Sequence, residues 1–246
     1  MSWPRSNRSP ARWLVVLLFV GLATAGGCGG KPQLMATPNL YTHPELKPYA
    51  DVPPALQHNR VEVLYVTDRL LEKDATPQAP VYGSKRSRSV AFGISEVQFG
   101  TDVTWDQLVE ASTSSKRSVK LEMNVIKTTE LRRFPPTPKV LFQLPNPLTA
   151  GTKPATAPST LRTEVDEDIA AFQRELSARL AKTPVKEVYI YVHGVSTSFD
   201  SSILTIAEIW HFLGRQGVPI TYSWPSGGGG GPLRGYMYDY NSSEFT

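Results

Sequence analysis

The stretch from Tyr189 to Asp200 (YIYVHGVSTSFD) carries the densest set of groups able to do chemistry. An apolar strand that ends in His193-Gly194 and turns into a helix can present backbone N–H groups at the carboxyl edge of a sheet, and glycine supplies the close approach and unusual dihedrals such a turn needs. Ser196 as a nucleophile requires a nearby base. His193 is adjacent in sequence, but its place at the strand end is that of a structural side chain, so a Ser196–His193 dyad ranks last among the readings. The other histidines are His43, His58 and His211, and His211 falls beside Trp210 and Phe212 on a helical segment, where packing is the default. Ser226 followed by Gly227 to Gly231 lacks the Lys-Ser/Thr of a phosphate loop and reads as a flexible loop near the sheet edge. No His/Cys/Asp/Glu group has metal-ligand spacing and no dinucleotide fingerprint occurs, so neither metal nor cofactor is expected. The sole cysteine, Cys28, cannot form an internal disulfide, which leaves a free thiol, an intermolecular bridge or a covalent modification.

The elements that must position these groups are legible from periodicity. Val61 to Thr67 alternates and is rich in β-branched and aromatic residues, which predicts a strand. Val90–Ile94, Val119–Val125 and Val140–Leu144 are further strand-like runs, and Trp105–Ala111 fits a short helix. Val165, Ile169, Phe172, Leu176 and Leu180 recur at helical spacing, with acids early and bases late, as the helix dipole favours. Val185–Val192 is apolar enough to read as a central strand of a parallel sheet. A helix capped by Ser198 or Asp200 follows, with Ile203, Ile206, Ile209 and Leu213 on one face and Gly214 or Gly217 at its end. Val218–Trp224 is the next strand. Helix, strand, helix, strand at these lengths is an α/β crossover series.

The amino terminus has a different character. Met1 to Arg12 is polar and positive, Trp13 to Ala23 is an almost unbroken apolar run, and Thr24 to Gly27 are small, which is the layout of a secretory signal peptide over residues 1–27. A core spanning 11 residues falls short of the roughly 18 to 20 that span a bilayer. The chain holds 21 prolines in 246 residues, above the usual share of roughly 5%. Several of them fall in residues 28–59, read as an extended tether, and in the low-complexity stretch 145–160. The 26 basic residues less Arg5, Arg8 and Arg12 leave 23 against 22 acidic ones, so a mature chain has no electrostatic case for nucleic acid.

Two resemblances add to this. Ala25-Gly26-Gly27-Cys28 resembles the lipobox of bacterial lipoproteins, which implies lipidation of Cys28, export and a membrane-anchored protein on the periplasmic face. Gly29 rather than aspartate after Cys28 leans that anchor toward the outer membrane. Ala25 stands where leucine is usual, and a conventional cleavage nearby is the alternative. Tyr191–Gly194, Ser196–Asp200, Tyr222-Ser223-Trp224-Pro225-Ser226, Tyr236-x-x-Asp239-x-x-Ser242 and the upstream Leu64–Arg69 together resemble a bacterial α/β-hydrolase family of unknown function. Val195-Ser196 departs from it, since the family often shows an aromatic or glycine followed by asparagine there.

The resemblance implies a partial α/β-hydrolase fold over residues 60–246, a mostly parallel sheet flanked by helices and truncated before the nucleophile elbow. It also implies an oxyanion hole with candidates His193, Gly194, Val195 and Ser196. The fold needs G-x-S-x-G, then an acid, then a histidine; the chain contains no G-x-S-x-G and no histidine after His211. The expectation is therefore a lipid-anchored protein, serine esterase- or lipase-like by resemblance and inactive as given, with an ester-type substrate in an intact homologue. The alternative is a non-catalytic envelope lipoprotein whose α/β domain binds a partner or ligand.

Overall fold

The computed structural model describes residues 31–117, 120–136, 159–228 and 232–243. Nine elements form the domain: β1 (Arg60–Leu71), β2 (Tyr82–Phe99), α1 (Trp105–Thr113), β3 (Met123–Arg133), α2 (Ser159–Lys182), β4 (Val188–Val192), α3 (Phe199–Phe212), β5 (Val218–Ser223) and α4 (Pro232–Ser243). The sheet order is β3-β2-β1-β5-β4. The β1–β5 and β5–β4 pairs are parallel, whereas β2 is antiparallel to both β1 and β3. The sheet is therefore mixed, with only β2 reversed, and the α/β class expected from the sequence holds.

Alternation along β1 decides which layer each residue joins. Val61, Val63 and Tyr65 face a core completed by Phe99, Leu108 of α1 and Ile203, Ile206 and Trp210 of α3. Leu64 faces the other way, where Val218 and Ile220 of β5 meet Phe172, Leu176 and Leu180 of α2. Each such side chain contributes about 1.5–3 kcal/mol when fully buried. Ser198 caps α3 by accepting from the Ser201 N–H, and Gly214, with φ of 70°, ends it in the left-handed conformation that glycine tolerates best. No described helix is long and apolar enough to cross a membrane.

Several expectations change in detail. The strand expected to be central, β4, is at the edge of the sheet formed by the described residues, with Ile190 at 67% exposure and Val192 at 55%. An apolar run reports that a strand could be buried on both faces, and it carries no information on how many neighbours it has. The buried face of α3 is wider than the spacing suggested, since Phe199, Ala207, Trp210 and His211 are buried whereas Ile209 and Leu213 are exposed. The strand expected from Val119 begins at Met123 and runs on to Arg133, beyond its last apolar residue. The runs Val140–Leu144 and residues 145–158, the leader and Cys28 lie outside the described residues.

The described part of the proline-rich segment is docked along the domain instead of extending from it. Leu34, Tyr49 and Val52 are buried, and the Leu34 N–H donates to the Leu121 carbonyl at 2.8 Å. Arg117 donates to the carbonyls of Leu34 and Met35, and Arg215 to those of Leu56 and His58. Prolines cannot donate to a ladder, and beyond a short backbone pairing of residues 32–34 with 121–123 this segment is fixed by side chains that reach its carbonyls.

His211 sits at the centre of that docking, fully buried. Its Nδ1 accepts from Arg215 Nε at 3.1 Å, which places the proton on Nε2, 2.8 Å from Ser112 Oγ and 3.1 Å from Tyr49 Oη. Arg215 lies over the Trp105 ring at 4.7 Å, and burial lowers its pKa to about 9. Burial, reinforced by Arg215 and Arg117, holds the His211 pKa well below 6.5. The folded state thus binds the proton less readily than the unfolded chain does. The contribution of His211 is complete above about pH 6.5 and is lost as pH falls from there toward its folded-state value. Thermal unfolding should therefore shift down between pH 7.5 and 5.5, and His211→Gln should flatten that slope; an unchanged slope in the variant would contradict the assignment.

Candidate functional site

The carboxyl ends of β1, β5 and β4 lie side by side, and the segments that leave them meet over one guanidinium. Arg69, near the end of β1, is 1% exposed. Its Nε donates to Ser223 Oγ at 3.0 Å, Nη1 to the carbonyls of Gly83 at 3.0 Å and Ser226 at 3.1 Å, and Nη2 to the Thr197 carbonyl at 2.7 Å. Nη2 also lies 3.3 Å from His193 Nε2. A planar fork with fixed donors suits convergent carbonyls in a way that a lysine ammonium does not. Burial lowers the Arg69 pKa to about 10, opposed by Asp68 and Asp239, so the group stays cationic at neutral pH.

His193 is almost fully buried and stacks on Trp224 at 5.0 Å and 13°. Trp224 Nε1 donates to the His193 carbonyl at 2.7 Å. His193 Nδ1 lies 2.8 Å from the Gly194 carbonyl, and Nε2 faces Arg69 and, at 3.1 Å, the Trp224 carbonyl. A proton on Nδ1 satisfies the Gly194 carbonyl and leaves Nε2 to accept from Arg69. Burial lowers the His193 pKa, and Arg69 adds to that against the carbonyls of Gly194 and Trp224, which favour the protonated ring. Both ring nitrogens thus face partners other than Ser196, which gives a Ser196–His193 dyad no geometric support.

The remaining loop residues divide into engaged and open positions. The Ser196 N–H donates to Asp239 Oδ2 at 2.5 Å, with Ser196 itself at φ of 56°. The Thr197 N–H donates to Ser226 Oγ at 3.2 Å, and that hydroxyl donates to the Thr197 carbonyl at 2.8 Å. Val195 is half exposed, and a Cβ built on Gly194 would meet nothing within 4 Å. The positive φ anticipated for glycine falls on Ser196, and what Gly194 provides is open space above the sheet edge. Of the four loop candidates, His193 and Ser196 are thus tied into the scaffold, and Gly194 and Val195 face outward.

A cleft of about 430 Å³ adjoins this edge at the start of α3, lined by Val81, Tyr82, Val125, Thr128, Phe199 and Asp200 among others. That volume is in the range of small-molecule sites. A second cavity of about 590 Å³ lies at the opposite end of the strands, against Arg60, Val61, Trp210 and Val218. The first is the one beside the loop. Among the described residues no cluster of three His, Cys, Asp or Glu side chains could hold a metal ion.

Sequence reasoning quoted Leu64–Arg69 without giving Arg69 a role. The available signal was a cation immediately after an apolar strand, a place where a charge must be either solvated or fully bonded. Arg86, in the basic stretch Lys85-Arg86-Ser87-Arg88, pairs with Asp68 and donates to the Ser242 carbonyl at 2.7 Å. Burial raises the Asp68 pKa, against the lowering effect of Arg86.

Comparison with known families adds one finding: the model of an alpha/beta hydrolase of unknown function (DUF900) matches residues 168–246, which hold β4, α3, β5, α4 and most of α2. No curated protein and no solved structure matches the chain.

Proposed function

We propose that the protein is an exported, lipid-anchored α/β-hydrolase-like protein whose His193–Ser196 loop is the oxyanion side of an ester-hydrolase site. The observation that carries this reading is the coincidence of the matched segment with a strand–loop–helix whose turn opens at Gly194 and Val195 over the carboxyl edge of the sheet. A tetrahedral intermediate at an ester carbonyl develops negative charge on oxygen, and backbone N–H groups of such a turn stabilise it. The first cleft is where the ester's substituent would lie.

Residues 1–246 supply no serine on a G-x-S-x-G turn and no histidine after His211, and the buried His193 is neutral and engaged. By themselves they are therefore inactive toward esters. Incubation with a fluorophosphonate probe and with p-nitrophenyl esters is expected to give no labelled serine and no hydrolysis above buffer. Labelling of Ser196, abolished by Ser196→Ala, would overturn this assignment of roles.

Anchoring rests on the leader, its small residues and Cys28. Acyl chains on Cys28 would hold the protein at the periplasmic face of a membrane, the outer one by the residue after Cys28, since each buried methylene contributes about 0.8 kcal/mol. Cys28→Ala should move the protein from the membrane to the soluble fraction; retention in the membrane would contradict lipidation as the anchor.

A second reading is a non-catalytic envelope lipoprotein that binds a ligand or partner through the same domain. It is favoured by the internal use of the loop's polar groups, since the His193 imidazole and the Ser196 N–H both have partners within the fold.

A further inference from the structure

The Tyr236-x-x-Asp239-x-x-Ser242 signature has no place as nucleophile or base in the chemistry above, and its residues have unlike fates. Tyr236 is exposed on the outer side of α4, stacked with Tyr240 at 6.5 Å, and Leu233 and Met237 are exposed with it. The opposite side holds the polar groups. Asp239 is fully buried, and its two oxygens take different loops: Oδ2 the Ser196 N–H at 2.5 Å, Oδ1 the Gly227 N–H at 2.9 Å. Ser242 Oγ donates to the Pro225 carbonyl at 2.8 Å, and Tyr238 Oη donates to the Ser84 carbonyl at 2.6 Å. The helix is thus attached by hydrogen bonds to the loops it overlies, with an apolar stripe turned away from them.

Both donors to Asp239 belong to residues in the left-handed region, Ser196 at 56° and Gly227 at 80°. Such a φ is rare for serine and persists where the surroundings determine it. Two backbone N–H groups that converge on one buried carboxylate make charge-assisted hydrogen bonds, the stronger class by which N–H donors hold an anion. We propose that Asp239 is a positioning residue acting as a built-in anion: its carboxylate fills a cradle made by the Ser196 and Gly227 N–H groups and thereby fixes the His193–Ser198 loop. A small carboxylate is the ligand class that this cradle accepts when the side chain is removed. The inference concerns the loop of the proposed oxyanion site, but its test reads amide signals and so can fail independently of the hydrolase reading.

The experiment is an amide ¹H–¹⁵N spectrum of the full chain with and without sodium formate, using sodium chloride at equal ionic strength as control. In the unaltered protein the Ser196 and Gly227 signals should not respond to formate, because the cradle is full. In Asp239→Ala both should move to higher field, and formate in the hundred-millimolar range should return them toward their original positions while chloride does not. In Asp239→Asn one carbonyl oxygen remains and no room is made, so only one of the two signals should move and formate should not restore it. A folded Asp239→Ala protein whose two signals stay in place, or move without responding to formate, overturns the proposal. Should Asp239→Ala fail to fold, Asp239→Asn decides, and both signals unmoved in that variant overturn it as well.

Discussion

Arg69→Ala should cost about 3–5 kcal/mol of stability, the sum expected when several buried acceptors lose a charged donor at about 1–3 kcal/mol each. That is a large share of the roughly 5–15 kcal/mol a domain possesses. The physical reason is that carbonyls of Gly83, Thr197 and Ser226, together with Ser223 Oγ, converge on this one side chain. Without it these acceptors lose their charged donor, the Thr197 carbonyl keeping Ser226 Oγ, and each group left unsatisfied carries a desolvation cost of about 1–3 kcal/mol. Arg69→Lys should rescue only part of the loss, since three donors on a flexible stem cannot reproduce the fork. Urea unfolding measures both. A loss below about 1 kcal/mol for Arg69→Ala would show that water replaces the guanidinium and that Arg69 does not organise this edge.

Removing residues 32–58 should have an effect of comparable size or larger. Leu34, Tyr49 and Val52 are buried against the domain, and each fully buried side chain of this size is worth about 1.5–3 kcal/mol. The same deletion takes away the Leu56 and His58 carbonyls that Arg215 Nη1 reaches at 2.6 and 2.7 Å, and the Tyr49 hydroxyl beside His211. A fully buried guanidinium would lose partners at the moment its surroundings open. The shortened chain is expected to lose cooperative thermal unfolding and to bind a hydrophobic dye. A cooperative transition at the original midpoint would show that the segment is a tether after all.

These two results concern the parts that the sequence conveyed least well. Strands and helices with a strong period were legible: β1 alternates, α2 carries its apolar stripe and basic residues in its last turn, though it starts at Ser159 and so has no acid in its first turn, and Ser198 is the cap of α3. The docking of residues 32–59 was hidden because proline content reports the absence of regular ladders, and it says nothing about whether a chain is laid on a surface. Its anchors are side chains far away in sequence, Arg117 and Arg215, and no local pattern links them to the carbonyls they bond. The edge position of β4 was hidden for a related reason, since Val188–Val192 has the composition of a strand with two neighbours and has one among the described residues.

The site was legible as a place and less so as an arrangement. The His193-Gly194 turn does lie at the carboxyl edge of the parallel strands, as the strand–turn–helix pattern implied. The division of labour within it depends on Arg69 and Asp239, which approach from opposite ends of the domain sequence and engage Thr197 and Ser196 respectively. A glycine in a turn suggested a special φ, yet the special φ belongs to Ser196, whose N–H is held by a carboxylate 43 residues away.

The proposed function stands or falls with where the remaining catalytic groups come from, because a hydrolase site of this kind needs G-x-S-x-G followed by an acid and then a histidine, an order that residues 1–246 do not contain. The most direct measurement is the sequence of the coding DNA and transcript beyond the codon for Thr246, read in all three frames. The account predicts G-x-S-x-G followed by an aspartate or glutamate and then a histidine, within roughly the 100 to 150 residues that would complete a domain. A stop codon with no such segment in any frame would contradict the hydrolase site and leave the binding role as the reading of this loop.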